Sequence, residues 1–222
     1  MTVVAVLNAK GGTSKTTSSA FIAHVLHERG RRTLLVDADR QGSMLRWQED
    51  ADLPVSVIGL PSPTLDQRLP GIVGRQWDAV VIDTPPDDPA VIRAAVRAAT
   101  HVVIPMAPGP AEHERIDAVR ELLDKASVER GDAGPVVAVL LTRTPTSPRA
   151  VATRVYRELI EEDGFTVLDA TVKWLQRFGQ AYGSPIVRAD ASPYGAVVDE
   201  LLALPTPNGA GAGAQDVQED PR

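Results

Sequence analysis

The chain has 222 residues, 43% of them hydrophobic, which suits one sizeable α/β domain with a full core. It contains no cysteine, so disulfides, cysteine nucleophiles, iron–sulfur clusters and thiolate zinc sites are excluded. The net charge of −6 argues against a broadly basic nucleic-acid binder, and no stretch reaches the roughly 18 apolar residues that a membrane span needs.

In chain order, TVVAVL (2–7) is a short apolar run ending at glycines, and reads as a first strand and not a signal peptide. TTSSAFIAHVLHERG follows, with Phe21, Ile22, Val25 and Leu26 at helical spacing and Gly30 as a C-terminal stop. TLLV (33–36) is the next buried strand, before the polar turn DADRQGS. DAVVID (78–83), HVVIP (101–105) and VVAVLL (136–141) repeat the strand pattern, with helices expected around 89–99 and 112–126. The stretch 149–163 reads as a helix with Val151, Val155 and Leu159 as its apolar stripe. A strand near 166–168, a helix near 173–182 and a last helix over Pro193 to Leu204 complete the domain, with Ser192 as N-cap and Pro193 in the first turn. The remainder, 205–222, is rich in glycine, proline and acids without periodicity and is expected to be disordered, leaving 1–204 as the domain.

Near-continuous apolar strands alternating with helices predict a mostly parallel twisted sheet with helices on both faces. Such sheets bind ligands at the strand C-terminal edge, and three polar motifs fall there. The first is KGGTSKT. Strand, glycine loop and helix together put backbone N–H groups and a helix N-terminus around one anion. Gly11 and Gly12 permit the tight backbone, Lys15 neutralises β- and γ-phosphate charge, Thr16 offers a hydroxyl to Mg2+ and Thr17 caps the α-phosphate. Ser14 departs from the usual glycine, the residue that takes a positive φ without steric cost. The second motif is VDADRQGSMLRW, where one of Asp37 and Asp39 would hold Mg2+ through water and the other orient an attacking water. The third is WDAVVIDTPPDDP, where Asp83 after four apolar residues has the shape of a Walker B aspartate.

Together the three motifs resemble the ParA/MinD family of deviant-Walker ATPases over roughly residues 2 to 204, most like the small plasmid-type ParA partition proteins. The family loop lysine-Gly-Gly-x-x-Lys-Thr-Thr is matched by Lys10 to Thr17. Its Asp-x-Asp-Pro-Gln motif is matched by Asp37, Asp39 and Gln41, with Arg40 in place of the proline. LLTRTP resembles the segment approaching the adenine, which brings in Arg143, and VKWLQRFGQAYGSPIV resembles the stretch near base and dimer partner.

The resemblance implies a three-layer P-loop NTPase fold and slow, partner-stimulated ATP hydrolysis with ATP and Mg2+ as cofactors. It gives Lys10 the role of reaching across an ATP-sandwich homodimer to the other subunit's phosphates. The expected site is therefore Lys10, Lys15 and Asp39 for catalysis; Gly11, Gly12, Thr13, Ser14, Lys15, Thr16, Thr17 and Arg143 for the nucleotide; and Thr16, Asp37 and Asp83 for the metal.

The implied function is plasmid or chromosome partition in the cytoplasm. The ATP-bound dimer would bind DNA non-specifically on the nucleoid, a ParB-type adaptor would bind the centromere, and no membrane would be involved. Two alternatives are a positioning ATPase for a non-DNA cargo and a dethiobiotin-synthetase-like ligase, although no motif for an acceptor substrate is present. Arg149, Arg154, Arg157, Lys173, Arg177 and Arg188 are the candidate DNA surface, and they equally fit a solvated face balanced by Glu158, Glu161 and Glu162. His24 and His27 read as surface residues, and Trp47, Trp77 and Trp174 as packing anchors.

Overall fold

The computed structural model describes residues 1–131, 134–147 and 151–205, with only the backbone for Gln176 and Arg177. Residues 206–222 of the expected tail, and Arg149, lie outside the described residues.

Five fully or almost fully buried runs form the centre of a parallel sheet: β1 (Thr2–Val6), β2 (Thr33–Asp37), β4 (Ala79–Asp83), β5 (His101–Met106) and β6 (Val136–Thr144). Short β3 (Ser56–Gly59) and β7 (Thr166–Val167) flank them, in the order β3-β2-β4-β1-β5-β6-β7, and β8 (Val172–Lys173) also pairs with β6. Every pairing is parallel, which requires crossovers, and the helices supply them.

Side chains alternate across the strands, so each strand feeds two cores. Val3, Ala5 and Leu7 join Val80, Ile82 and the buried faces of α3 (Leu65–Val73), α4 (Pro89–Ala98) and α6 (Ile116–Arg130). Val4, Val6 and Leu35 face the other way, against α1 (Lys15–Glu28), α2 (Ser43–Ala51) and α9 (Pro193–Ala203). This is the expected three-layer α/β fold.

Several elements depart from the sequence reading. The expected helix over 112–126 is split into α5 (Pro110–His113) and α6. In the expected helix over 173–182, residues Val172–Lys173 are strand and only α8 (Gln176–Gly179) is helical, because Trp174 N–H is taken by the Thr144 carbonyl at 2.8 Å. α7 (Ala152–Glu162) forms, but its expected stripe does not pack: Val151 is 61% and Val155 37% exposed, and the buried residue is Ile160. No sequence pattern marks α2, β3 or α3. β3 is a half-exposed edge strand, and α3 carries Pro70 within it, which masks its period. At the start of α9, Ser192 and Pro193 cap as expected, the Ser192 hydroxyl accepting the Tyr194 N–H at 3.2 Å. Gly195 there has no room for a side chain, since a Cβ would lie 2.1 Å from the Asp190 carbonyl oxygen.

Candidate nucleotide site

The sheet register assembles the site. β1, β4 and β2 are adjacent and parallel, and Val6, Asp83 and Asp37 are partners at one level across them. The chain leaves β1 just beyond this row, into the glycine loop, and re-enters as α1. The loop, Asp83 and the turn after Asp37 therefore meet at one edge.

Asp83 is fully buried between two donors: Thr16 Oγ1 donates to Oδ2 at 2.7 Å and Ser19 Oγ to Oδ1 at 3.0 Å. Burial pushes its carboxyl up to about 7, with the Asp37 charge adding to the shift and the Thr16 bond opposing it. No sequence motif marks Ser19. It lies one helical turn beyond Thr16, and only the fold shows that both face Asp83.

Lys15 is buried, and its Nζ donates to the Lys10 carbonyl at 2.8 Å. Desolvation lowers its pKa, against the attraction of Asp83 and Asp39. Lys10 turns the other way: its Nζ meets Glu112 Oε1 at 2.5 Å. Asn8 braces the loop, accepting Lys10 N–H at 3.2 Å and donating to the Pro105 carbonyl at 2.9 Å. Gly12 has φ +75°, and Cβ atoms placed on Gly11 and Gly12 would meet nothing within 4 Å. The space over the loop is thus open to a ligand. Ser14 stands at φ 70°, ψ 20°, so the position does demand the left-handed backbone that glycine usually supplies.

The Asp37 turn forms without the family's proline. Asp39 N–H and the Met44 and Leu45 N–H groups donate to the Asp37 carboxylate at 3.0, 2.9 and 3.2 Å, while the Asp39 carboxylate accepts Gln41 N–H at 2.9 Å. The acids themselves therefore build the turn, and Arg40 stays exposed. Asp37 is wholly buried, its carboxyl raised by that burial, whereas Asp39 is part exposed and faces the loop.

A cavity of about 310 Å3 lies over the loop, lined by Gly11 to Thr17 with Asp39, Gln41, Ser43, Thr84, Pro86 and Arg143. A second of about 100 Å3 adjoins it through Ser14, Thr17 and Arg143, and reaches Trp174 and Phe178. Arg143, at φ 51°, donates through Nε to Ser14 Oγ at 3.2 Å and lies 5.0 Å from the Trp174 ring centroid. Trp174 is 61% exposed and so does not pack as expected, while Trp47 is fully buried with its Nε1 on the Ser184 carbonyl at 2.8 Å and Trp77 packs partly buried against the first core. Thr142 Oγ1 is buried at this second cavity and has no partner among the described residues.

Among the described residues, no group of three or more His, Asp or Glu side chains could hold a metal alone. Mg2+ does not require such a group, since it takes one or two protein groups and completes its shell with phosphates and water. The Thr16–Asp83 pair beside the open loop has the donors for it.

Among the described candidate basic residues, two are engaged within their own subunit. Arg154 pairs with Glu158 at 3.0 Å, and Arg157 is held by the Val167 and Leu168 carbonyls and by Asp169. Lys173 and Arg188 are exposed. The Arg177 side chain is outside the described residues. His24, read as a surface residue, is instead buried within α1, its Nδ1 2.7 Å from the Ala20 carbonyl. Among the described residues no helix is long and apolar enough to cross a membrane.

Residues 4–203 match the family described as the CobQ/CobB/MinD/ParA nucleotide binding domain. A maintenance of carboxysome distribution protein A from Gloeobacter kilaueensis is 36% identical over 77% of this chain and 76% of its own length. The protein of the same name from Halothiobacillus neapolitanus is 32% identical over 77% of this chain and 78% of its own. The structure of an ATP complex of McdA from Cyanothece superposes with a TM-score of 0.71 at 15% identity, covering 93% of this chain and 98% of that one. Neither relative is named for plasmid partition, so the expected likeness to plasmid-type members gives way to a broader one.

Proposed function

The chain belongs to the CobQ/CobB/MinD/ParA nucleotide-binding family as a ParA/MinD-type ATPase, and from that premise we propose that it is a positioning switch. In this reading ATP with Mg2+ closes two copies face to face, the closed pair binds duplex DNA without sequence preference as a matrix, and hydrolysis releases it. The cargo is a non-DNA body reached through an adaptor protein, a reading supported by the names of the two relatives.

The observation that carries the switch is the divergence of two lysines in one loop. Lys15 is buried under the loop, whereas the Lys10 ammonium sits on Glu112, with a third of its side chain exposed, away from its own phosphate cavity. A lysine placed there serves a second copy's phosphates better than its own.

The residues divide the work accordingly. The loop N–H groups and the α1 N-terminus bind the phosphates, and Lys15 offsets the charge at the β–γ bridge. Thr16 and Asp83 would hold Mg2+, which would supply neutralisation of phosphate charge. Asp37 fixes the turn through its three backbone bonds, which makes it a holder of Asp39 as much as a metal contact. Asp39 accepts a hydrogen bond from the attacking water. The water oxygen bonds to the γ-phosphorus while the bond from that phosphorus to the β–γ bridging oxygen breaks, giving ADP and phosphate and releasing the water's proton to solvent. Arg143 and the cavity beside Trp174 receive the base. Lys173, Arg188 and Arg154, the last paired with Glu158, are the exposed described cations of the candidate DNA surface.

Sedimentation with and without ATP·Mg2+ and random duplex DNA tests the reading. A dimer is expected only with ATP·Mg2+, and co-sedimentation with DNA only in that state, weakening as salt rises. A monomer under every condition would sink it.

A further inference from the structure

We infer that Glu112 is a positioning residue that holds Lys10 on its own subunit until a nucleotide-bearing second copy takes the lysine over. The inference rests on the switch reading above and adds to it the element that restrains closure.

Glu112 lies on α5, a single helical turn. Its side chain is 13% exposed against 35% for Lys10, so the carboxylate sits inward and the ammonium reaches in from the rim. Oε1 takes the ammonium at 2.5 Å, while Oε2 is buried without a partner among the described residues. Lys10 thus supplies the hydrogen bonding found at this carboxylate. The seat itself is fixed: the next residue, His113, bonds through Nε2 to Asp163 Oδ2 at 2.8 Å, tying α5 to the end of α7. The Lys10 carbonyl meanwhile holds the Lys15 ammonium, so both lysines of the loop are withdrawn at one residue.

When Lys10 leaves for another subunit's phosphates, a largely buried carboxylate loses its counter-ion. Breaking such a pair from one side costs more than the pair contributes, because the remaining charge stays desolvated. That cost opposes closure until phosphates bearing several negative charges outbid one carboxylate. Glu112 therefore works against pairing, and removing its charge should tighten the dimer.

The test compares Glu112→Gln, Glu112→Asp and Lys10→Ala by sedimentation with a non-hydrolysable ATP analogue and Mg2+. Glu112→Gln should lower the dimer dissociation constant by about tenfold, the scale of a partly buried pair released on each of two subunits. Glu112→Asp, which keeps the charge, should return it toward wild type. An unchanged or weaker Glu112→Gln dimer, with Lys10→Ala still monomeric, overturns the latch and leaves the switch standing. A Lys10→Ala dimer of wild-type affinity overturns the switch reading itself. Should Glu112→Gln not fold, the wild-type protein answers directly. It has only four lysines, so the side-chain ammonium signals can be resolved by nitrogen-15 NMR. The Lys10 signal should show coupling to a carboxylate in the nucleotide-free protein and lose it on adding the analogue. Its persistence in the dimer, or its absence beforehand, overturns the latch.

Discussion

Thr16 donates its hydroxyl to the buried Asp83 carboxylate at 2.7 Å, joining the first turn of α1 to the end of β4. Ser19 closes the other oxygen at 3.0 Å, so the carboxylate is satisfied but desolvated. Above about pH 7, where a carboxyl raised to about 7 is ionised, Asp83→Asn should therefore stabilise the nucleotide-free protein by roughly 1 kcal/mol or more, since a neutral amide replaces a buried charge. The same change should remove the gain in nucleotide affinity that Mg2+ gives. Urea unfolding and titrations with and without Mg2+ measure both, and a destabilised variant would contradict the buried-charge argument.

Ser14 holds φ 70° where a side chain is strained. Ser14→Gly should raise stability by about 1 kcal/mol, because glycine adopts the left-handed region freely, less the entropy it loses on folding. A lower urea midpoint would mean that the hydroxyl's bond from Arg143 outweighs the strain.

Asp39 lines the phosphate cavity and is part exposed, with its carboxylate already anchored by Gln41 N–H. Asp39→Ala should leave ATP binding intact and lower turnover by about a hundredfold or more, the usual scale for a lost water-positioning group. The ATP-bound dimer should then accumulate. Phosphate release at wild-type rate would remove Asp39 from the chemistry.

Arg143 lies over the exposed Trp174 ring, and both line the cavity next to the phosphates. A base entering there displaces or sandwiches the guanidinium, so ATP should change Trp174 fluorescence. Trp174→Phe should abolish the change. Arg143→Ala should weaken ATP binding by about tenfold, the scale of a stacked cation. A full signal from the Trp174→Phe protein would place the responding ring at Trp47 or Trp77.

His24 is buried with Nδ1 on the Ala20 carbonyl and Nε2 unpartnered among the described residues. Burial lowers its pKa, so the folded protein resists its protonation. Its contribution to stability is present above the unfolded value near 6.5 and is lost as pH falls through the lowered folded value. Unfolding from about pH 7 to about pH 5 should be steeper for wild type than for His24→Leu. Equal slopes would exclude His24 as a source of acid lability.

Much of the site is legible along the chain because it is local. A glycine loop between strand and helix, and acids at strand ends, keep their meaning whatever surrounds them. The strands at 2–7, 33–36, 78–83, 101–105 and 136–141 read correctly for a related reason: strands covered on both faces must be apolar throughout. The segment from Ser43 to Val73 was unreadable because α2 begins at a turn made by the Asp37 and Asp39 carboxylates, β3 is a half-exposed edge and α3 contains a proline. The helix expected over 173–182 failed because β6 runs on and its Thr144 carbonyl captures the Trp174 N–H, a contact that no local pattern encodes.

By itself the sequence determined the parallel sheet, the phosphate loop and the two acidic turns, since periodicity and backbone chemistry act over a few residues. Only the tertiary structure decided how those parts divide their roles. The level pairing of Val6, Asp83 and Asp37 sets two carboxylates side by side, and burial then separates them: Asp83 faces Thr16, Asp37 closes a turn and Asp39 is left to the cavity. It likewise sent Lys10 to Glu112, 102 residues away. An ion pair of that separation depends on where β1 and β5 lie in the sheet, and sequence spacing carries no trace of it.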